Sequence, residues 1–129
     1  MNRRVLLAAG LAVILLGACK GDPPSGPVAG DLTLTLTSPG ATDGAILIRV
    51  TGPVESVSAV GGLLVEGSQV PGGMWRIVVA GNVTSGPVAR IRVPDLGAVD
   101  QYLAIVEQVA ARGTFALLST SGYAVEVVK

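Results

Sequence analysis

The chain of 129 residues contains no histidine, one cysteine, one tryptophan, one phenylalanine and two tyrosines. Without histidine it lacks the commonest general base, the commonest metal ligand, and every Ser-His or Cys-His nucleophile arrangement. A single thiol, Cys19, cannot form an internal disulfide. Charge is also scarce: nine basic and nine acidic side chains make up 14% of the residues, with a formal net charge of +0. That balance offers no electrostatic footprint for nucleic acid and no basic patch for anionic lipid. No cofactor is expected either, because Gly72-Gly73 precedes Met74 without the strand-to-helix context and lysine of a phosphate-cradling loop. The longest leading apolar run, Val5 to Leu16, falls short of the roughly 20 residues that a permanent membrane helix needs.

What the N-terminus does contain is organised in three parts. Arg3 and Arg4 come first, the apolar run follows, and small residues lead to Cys19. This is the order of a secretory signal helix that is presented to the bilayer and then cut. Leu16-Gly17-Ala18-Cys19 resembles the lipobox of bacterial lipoproteins. That resemblance covers only the leader. It implies lipid modification of Cys19, cleavage between Ala18 and Cys19, and a mature chain that begins at Cys19. An ordinary signal peptide with an Ala-x-Ala-like cut and a leftover thiol is the alternative. Because each buried CH₂ contributes about 0.8 kcal/mol, one acyl chain binds marginally, whereas two or three anchor stably. Lys20 follows the cysteine. In Gram-negative lipoproteins an aspartate there commonly marks retention in the inner membrane, so the resemblance favours the outer membrane in a cell with two.

The expected organisation is therefore a signal peptide over 1–18, a lipidated cysteine and tether over 19–30, and one domain over 31–129. Loss of Arg3 and Arg4 takes the basic count from nine to seven against nine acidic side chains, a mature charge of −2. Lys20 to Gly30 reads KGDPPSGPVAG, whose prolines keep it partly extended at up to ~3.1 Å per residue. The other reading of that segment is an edge packed on the domain.

From Asp31 the pattern changes. Leu32, Leu34 and Leu36 alternate with Thr33, Thr35 and Thr37, the period-two signature of a strand with one dry and one wet face. Ser38-Pro39-Gly40 and Thr42-Asp43-Gly44 signal turns, after which Ile46, Ile48 and Val50 share a face. Val54–Val60 and Leu63–Glu66 read as shorter strands, and Gly67–Gly73 as a loop. Met74–Ala80 is nearly continuously apolar and reads as a central strand. Gly81–Pro87 reads as turns. In Val88–Val93 the intervening Arg90 and Arg92 are expected in water. The segment 96–111 fits two patterns: Asp95 could cap a short helix beginning at Leu96, or a strand could run from about Gln101 to Ala110. The many short strands around it favour the strand. Phe115–Leu118 and Gly122–Val128 would close the domain. The prediction is all-β, a single antiparallel β-sandwich, immunoglobulin-like or cohesin-like in architecture only. Fold analogy does not license a function.

Few residues are candidates for chemistry. Asp95, Asp100 and Glu107 are the carboxylates an acid-base hydrolase would have to use, and such an enzyme needs two acids at a fixed separation across a cleft. Turn and capping roles are the simpler reading of Asp95 and Asp100. Asp43 stands alone in its turn, without the alternating oxygen ligands of a calcium loop, so no metal site is expected. Asn82-Val83-Thr84 matches a glycosylation acceptor, which carries little meaning in a bacterial lipoprotein. Trp75 and Tyr102 could stack on a sugar or peptide, although Met74, Ile77, Val78 and Val79 place Trp75 in a core-forming run. Tyr123 fits a corner tyrosine whose hydroxyl bonds the backbone. The expectation is a noncatalytic, lipid-anchored cell-envelope module that binds an envelope protein or polysaccharide through loops or a sheet edge. The alternatives are a carboxylate-dependent envelope hydrolase and a structural spacer. The ligand-binding residues themselves are not legible.

Overall fold

A computed structural model describes residues 26–40 and 42–129. The expected signal-peptide helix, the cleavage site at Ala18, the lipidation site at Cys19 and the tether as far as residue 25 lie outside the described residues.

The alternation of leucine and threonine builds the first strand, β1 (Gly30–Thr37), with Leu32, Leu34 and Leu36 buried and the threonines outward. The same rule makes β2 (Asp43–Thr51), whose Ile46, Ile48 and Val50 are buried. The described strands continue as β3 (Ser56–Ala59), β4 (Leu64–Val70), β5 (Met74–Val83), β6 (Gly86–Val93), β7 (Leu103–Ala111), β8 (Leu117–Leu118) and β9 (Ala124–Val128). They form two antiparallel sheets, ordered β3-β6-β1-β9 and β4-β5-β2-β7-β8. The inward faces of both meet in one core containing Leu32, Leu34, Ile48, Ile77, Val79 and Ile91. Each such side chain contributes about 1.5–3 kcal/mol on full burial, and this apolar seam is what joins the sheets. The fold is thus an all-β sandwich, as the alternation predicts, and Arg90 and Arg92 are exposed.

Several segments differ from the sequence reading: Asp43 and Gly44, read as part of a turn, open β2, and Phe115 and Ala116, read as strand, fall outside the two-residue β8. Most of Gly67–Gly73 is strand, because β4 runs on to Val70 and only Pro71–Gly73 makes the turn into β5. As an edge strand, β4 is held by its ladder to β5 and needs little apolar periodicity of its own. Similarly, β5 continues through Gly81 and Asn82 to Val83, which is fully buried and pairs with Asp43. The ambiguous segment contains both candidate elements. Asp95 caps a 3-10 helix, Leu96–Gln101, by accepting the Gly97 N–H at 2.9 Å, and β7 then starts at Leu103. A single pattern could not describe it because the helix supplies no fully buried residue, whereas Tyr102, Ala104, Val106 and Val109 enter the core.

The strand directions define two poles. At one, β1 begins, β2 ends and the 3-10 helix crosses. There the Leu96 N–H donates to the Val28 carbonyl at 2.8 Å, fastening the chain just before β1. Gly52 is needed at this tether pole: its φ is +127°, and a Cβ there would stand 2.6 Å from Tyr102 Cδ1. The Tyr102 hydroxyl in turn donates to the Pro53 carbonyl. At the other pole β1 ends, β2 begins, and the turns between β3 and β4, β5 and β6, β7 and β8, and β8 and β9 converge.

Candidate functional site

The sequence-derived carboxylates are held apart in separate structural tasks. Asp95 caps the 3-10 helix, and Asp100 is exposed on that helix at the tether pole. Glu107 sits on the outer face of the five-stranded sheet, where it accepts from Arg76 Nε at 3.2 Å across β2. A register shift between Leu47 and Ile48 makes Glu107 the extra residue of a bulge in β7, which turns it outward. Among the described residues no three of His, Cys, Asp and Glu gather as metal ligands.

The aromatic residues divide differently from expectation. Trp75 is half-buried against the core, as its run implies. Tyr102 is buried, and its hydroxyl bonds a backbone carbonyl. The corner role expected of Tyr123 therefore falls to Tyr102. Burial, with the Asp95 and Glu55 carboxylates, pushes the Tyr102 hydroxyl above its ordinary value near 10. Tyr123 instead donates to the Asp43 carboxylate at 2.8 Å. Its own pKa is raised too, by burial first and then by that bond to Asp43.

Asp43 is the centre of the pole remote from the tether. Only 1% exposed, it accepts from Tyr123 through Oδ1 and from the Ser38 hydroxyl at 2.9 Å through Oδ2. Ser38 is tied again, its N–H donating to Ser85 Oγ at 2.8 Å and its carbonyl accepting from that hydroxyl at 3.3 Å. Four chain segments are thus cross-linked: the end of β1, the start of β2, the turn before β6 and the approach to β9. A carboxylate accepting from hydroxyls forms charge-assisted bonds, which makes this the firmest polar contact of the pole. Gly44 completes the support, since a Cβ there would meet the Ala111 carbonyl oxygen at 2.9 Å and push away the turn after β7.

On this braced base sits an apolar rim. Phe115 is 64% exposed and holds φ at +54°, a left-handed conformation that bulky residues rarely adopt. Two backbone bonds maintain it, Phe115 N–H to the Ala111 carbonyl at 3.0 Å and Ala111 N–H to the Ala116 carbonyl at 2.8 Å. Strain of this kind persists only where the surrounding structure holds it. Leu117 is 71% exposed beside it, and Leu118 and Leu64 are also exposed. Leu64, Ala80, Ala45, Ala110 and Leu117 form one cross-strand row on the outer face of the sheet. Where Ala45 and Ala110 stand in that row the small side chains leave an apolar depression of about 170 Å³, lined by Ala45, Ile46, Leu47, Val78, Gln108, Ala110 and Leu117.

Charge separates the two poles. Asp31, Glu55, Asp95, Asp100 and Arg92 surround the tether pole. In the described turns of the remote pole the only exposed charge is Arg112, set among serine, threonine, glycine and asparagine. Small polar loops thus surround the few exposed apolar side chains of this pole. The sequence held a weak signal of this in the uncharged run Gly113–Ala124. It gave none for the convergence of Ser38, Asp43, Ser85 and Tyr123, which are distant in the chain.

No protein-family model, no curated protein and no solved structure matches this chain.

Proposed function

We propose that this chain is a lipid-anchored, noncatalytic cell-envelope protein whose sandwich binds an envelope partner through the pole remote from its tether. The observation that carries the reading is the contrast between the poles. The chain reaches the sandwich at the charged end, and Phe115, Leu117 and Leu118 are presented at the uncharged end on a hydrogen-bonded base. With Cys19 as the lipidated residue, residues 19–27 would reach roughly 28 Å at the ~3.1 Å per residue of a polyproline-like segment before the fastened Val28. The length of β1 then carries the binding pole about 26 Å farther from the attachment point. A partner in the envelope, protein or polysaccharide, meets this surface more readily than the lipid in which the chain is anchored. In a cell with two membranes Lys20 favours the outer one. The noncatalytic part rests on the absence of histidine and on the structural engagement of Asp95 and Glu107.

Fatty-acid labelling of the wild type and the Cys19→Ser variant tests the anchor. The wild type should incorporate label, whereas the variant should incorporate none and stay unprocessed or soluble. A variant that still partitions with detergent and is cut normally sinks the lipoprotein reading. Crosslinking from position 115 in intact envelopes tests the binding pole. A reproducible adduct from that position, absent from a probe at Asp100, is expected, and equal labelling from both positions would favour a spacer.

A further inference from the structure

We infer that Arg112–Gly122 is a strap that opens as one unit between two fixed ends while both sheets stay folded. The strap is a property of the fold and depends neither on the lipid anchor nor on the binding reading above. All eleven residues from Arg112 to Gly122 are exposed, whereas no other exposed run among the described residues exceeds four. None of the eleven belongs to the core or packs against it. Even Leu118, which lies opposite the inward-facing Val109, remains 42% exposed. Resistance to local opening comes from buried apolar contacts and sheltered hydrogen bonds, so this segment stands at the low end of the molecule's stability.

The ties that close the strap are few, and all of them end on β7. Phe115 N–H donates to the Ala111 carbonyl, and Ala111 N–H donates to the Ala116 carbonyl. Two ladder pairs follow, Ala110 with Leu117 and Val109 with Leu118. The side-chain hydrogen bonds of the strap stay within it, from Ala116 N–H to Thr114 Oγ1 at 3.4 Å and from Ser121 N–H to Ser119 Oγ at 3.2 Å. Arg112 forms no ion pair among the described residues. Opening also releases the left-handed backbone of Phe115 and returns conformational freedom to the chain.

The two ends are held differently, and both are held at Asp43. Ala111 pairs with Asp43 across β7 and β2, and the Tyr123 hydroxyl donates to its carboxylate at 2.8 Å. Tyr123 also packs against the core. With both ends fixed at one buried residue, opening has no route into β2 or β9. It does bare the main chain of Val109–Ala111 and remove the Leu117 wall of the apolar depression. Phe115, Leu117 and Leu118 all ride on the strap, so its position decides whether the remote pole displays them or uncovers the end of β7.

Residue-resolved amide exchange of the full chain, purified from membranes in detergent, tests this. The Ala111 and Phe115 amides lose their acceptors on opening, and so does that of Leu118, the next hydrogen-bonded position of the ladder after Ala116. After correction for intrinsic rates the three should share one rate within about threefold, and it should exceed the rates of the β2 amides by about a hundredfold or more. Urea below the unfolding transition should leave the shared rate nearly unchanged while raising those of β2, because opening the strap bares little surface. Ala110 and Leu117 lie directly opposite as a non-hydrogen-bonded pair, a type whose Cα atoms stand about 4.5 Å apart, within reach of a disulfide. Oxidation of the Ala110→Cys, Leu117→Cys double variant should therefore slow all three amides about tenfold or more relative to its reduced form. Unequal rates graded along the strap, a shared rate as slow as that of β2, or a rate that rises with urea as β2 does overturns the inference. So does an oxidised double variant whose three amides exchange as fast as when reduced. The wild-type rates decide the matter even where the double variant does not fold.

Discussion

Replacing Asp43 with alanine removes the acceptor at the centre of the remote pole. Two hydroxyl bonds to a charged acceptor are lost, each contributing about 1.5–3 kcal/mol. Two effects reduce that sum. The desolvation cost of the buried carboxylate disappears with it, and the Ser38 hydroxyl keeps a second contact, accepting from the Gly40 N–H at 3.1 Å. The half-buried Tyr123 hydroxyl loses the acceptor it donates to, although Ser38 remains beside it as a second polar neighbour. A net destabilisation of about 2–4 kcal/mol is expected. For a domain of this size that lowers Tm by about 10–25 °C. Tyr123→Phe alone should cost ~1 kcal/mol, and the double variant should show a coupling of about 1–2 kcal/mol. Asp43→Asn retains an acceptor and a donor that a hydroxyl can also satisfy, so its cost should fall well below that of alanine. Thermal and urea unfolding of the lipid-free chain, followed by circular dichroism and Trp75 fluorescence, measures all four. An Asp43→Ala protein that melts with the wild type, or a cycle without coupling, would refute the assignment of Asp43 as the brace.

At the tether pole, Gly52→Ala combines a positive φ with a Cβ pressed into the fixed Tyr102 ring, and should cost about 2–5 kcal/mol. Gly61→Ala shares the positive φ (+59°) but has nothing within 4 Å, and should cost only about 1–2 kcal/mol. Equal costs in urea titrations would show that the ring contact is unimportant. Stability should also fall at alkaline pH. Tyr102 and Tyr123 are raised above 10.0, so the folded state keeps protons that the unfolded state releases. Their contribution is fully present below pH ~10 and is lost as pH rises through the folded values. Urea midpoints from pH 8 to 11 should decline above about 10, less steeply in Tyr123→Phe, and a flat profile would contradict this.

Most strands could be read locally. The leucine–threonine alternation of β1 and the isoleucines of β2 state which face is dry, because side chains alternate along any extended chain whatever pairs with it. The glycine, proline and aspartate turns state where the chain reverses. Less legible were β4 beyond Glu66 and the tail of β5, whose glycine and polar residues look like loop until a neighbour supplies the ladder bonds. The segment after Asp95 gave two overlapping patterns, since it holds a 3-10 helix and a strand in immediate succession.

The sequence by itself determined the class of the domain, the residues that fill its core and its lack of histidine chemistry. Only the tertiary structure decided which strands are neighbours, and this is a matter of long-range burial that no local period encodes. Pairing β1 with both β6 and β9 brings Ser38, Asp43, Ser85 and Tyr123 into one node. Placing β8 outermost leaves Leu117 and Leu118 exposed at the edge of the five-stranded sheet. The remote pole therefore exists because distant segments share one core, which is why its chemistry could not be read along the chain.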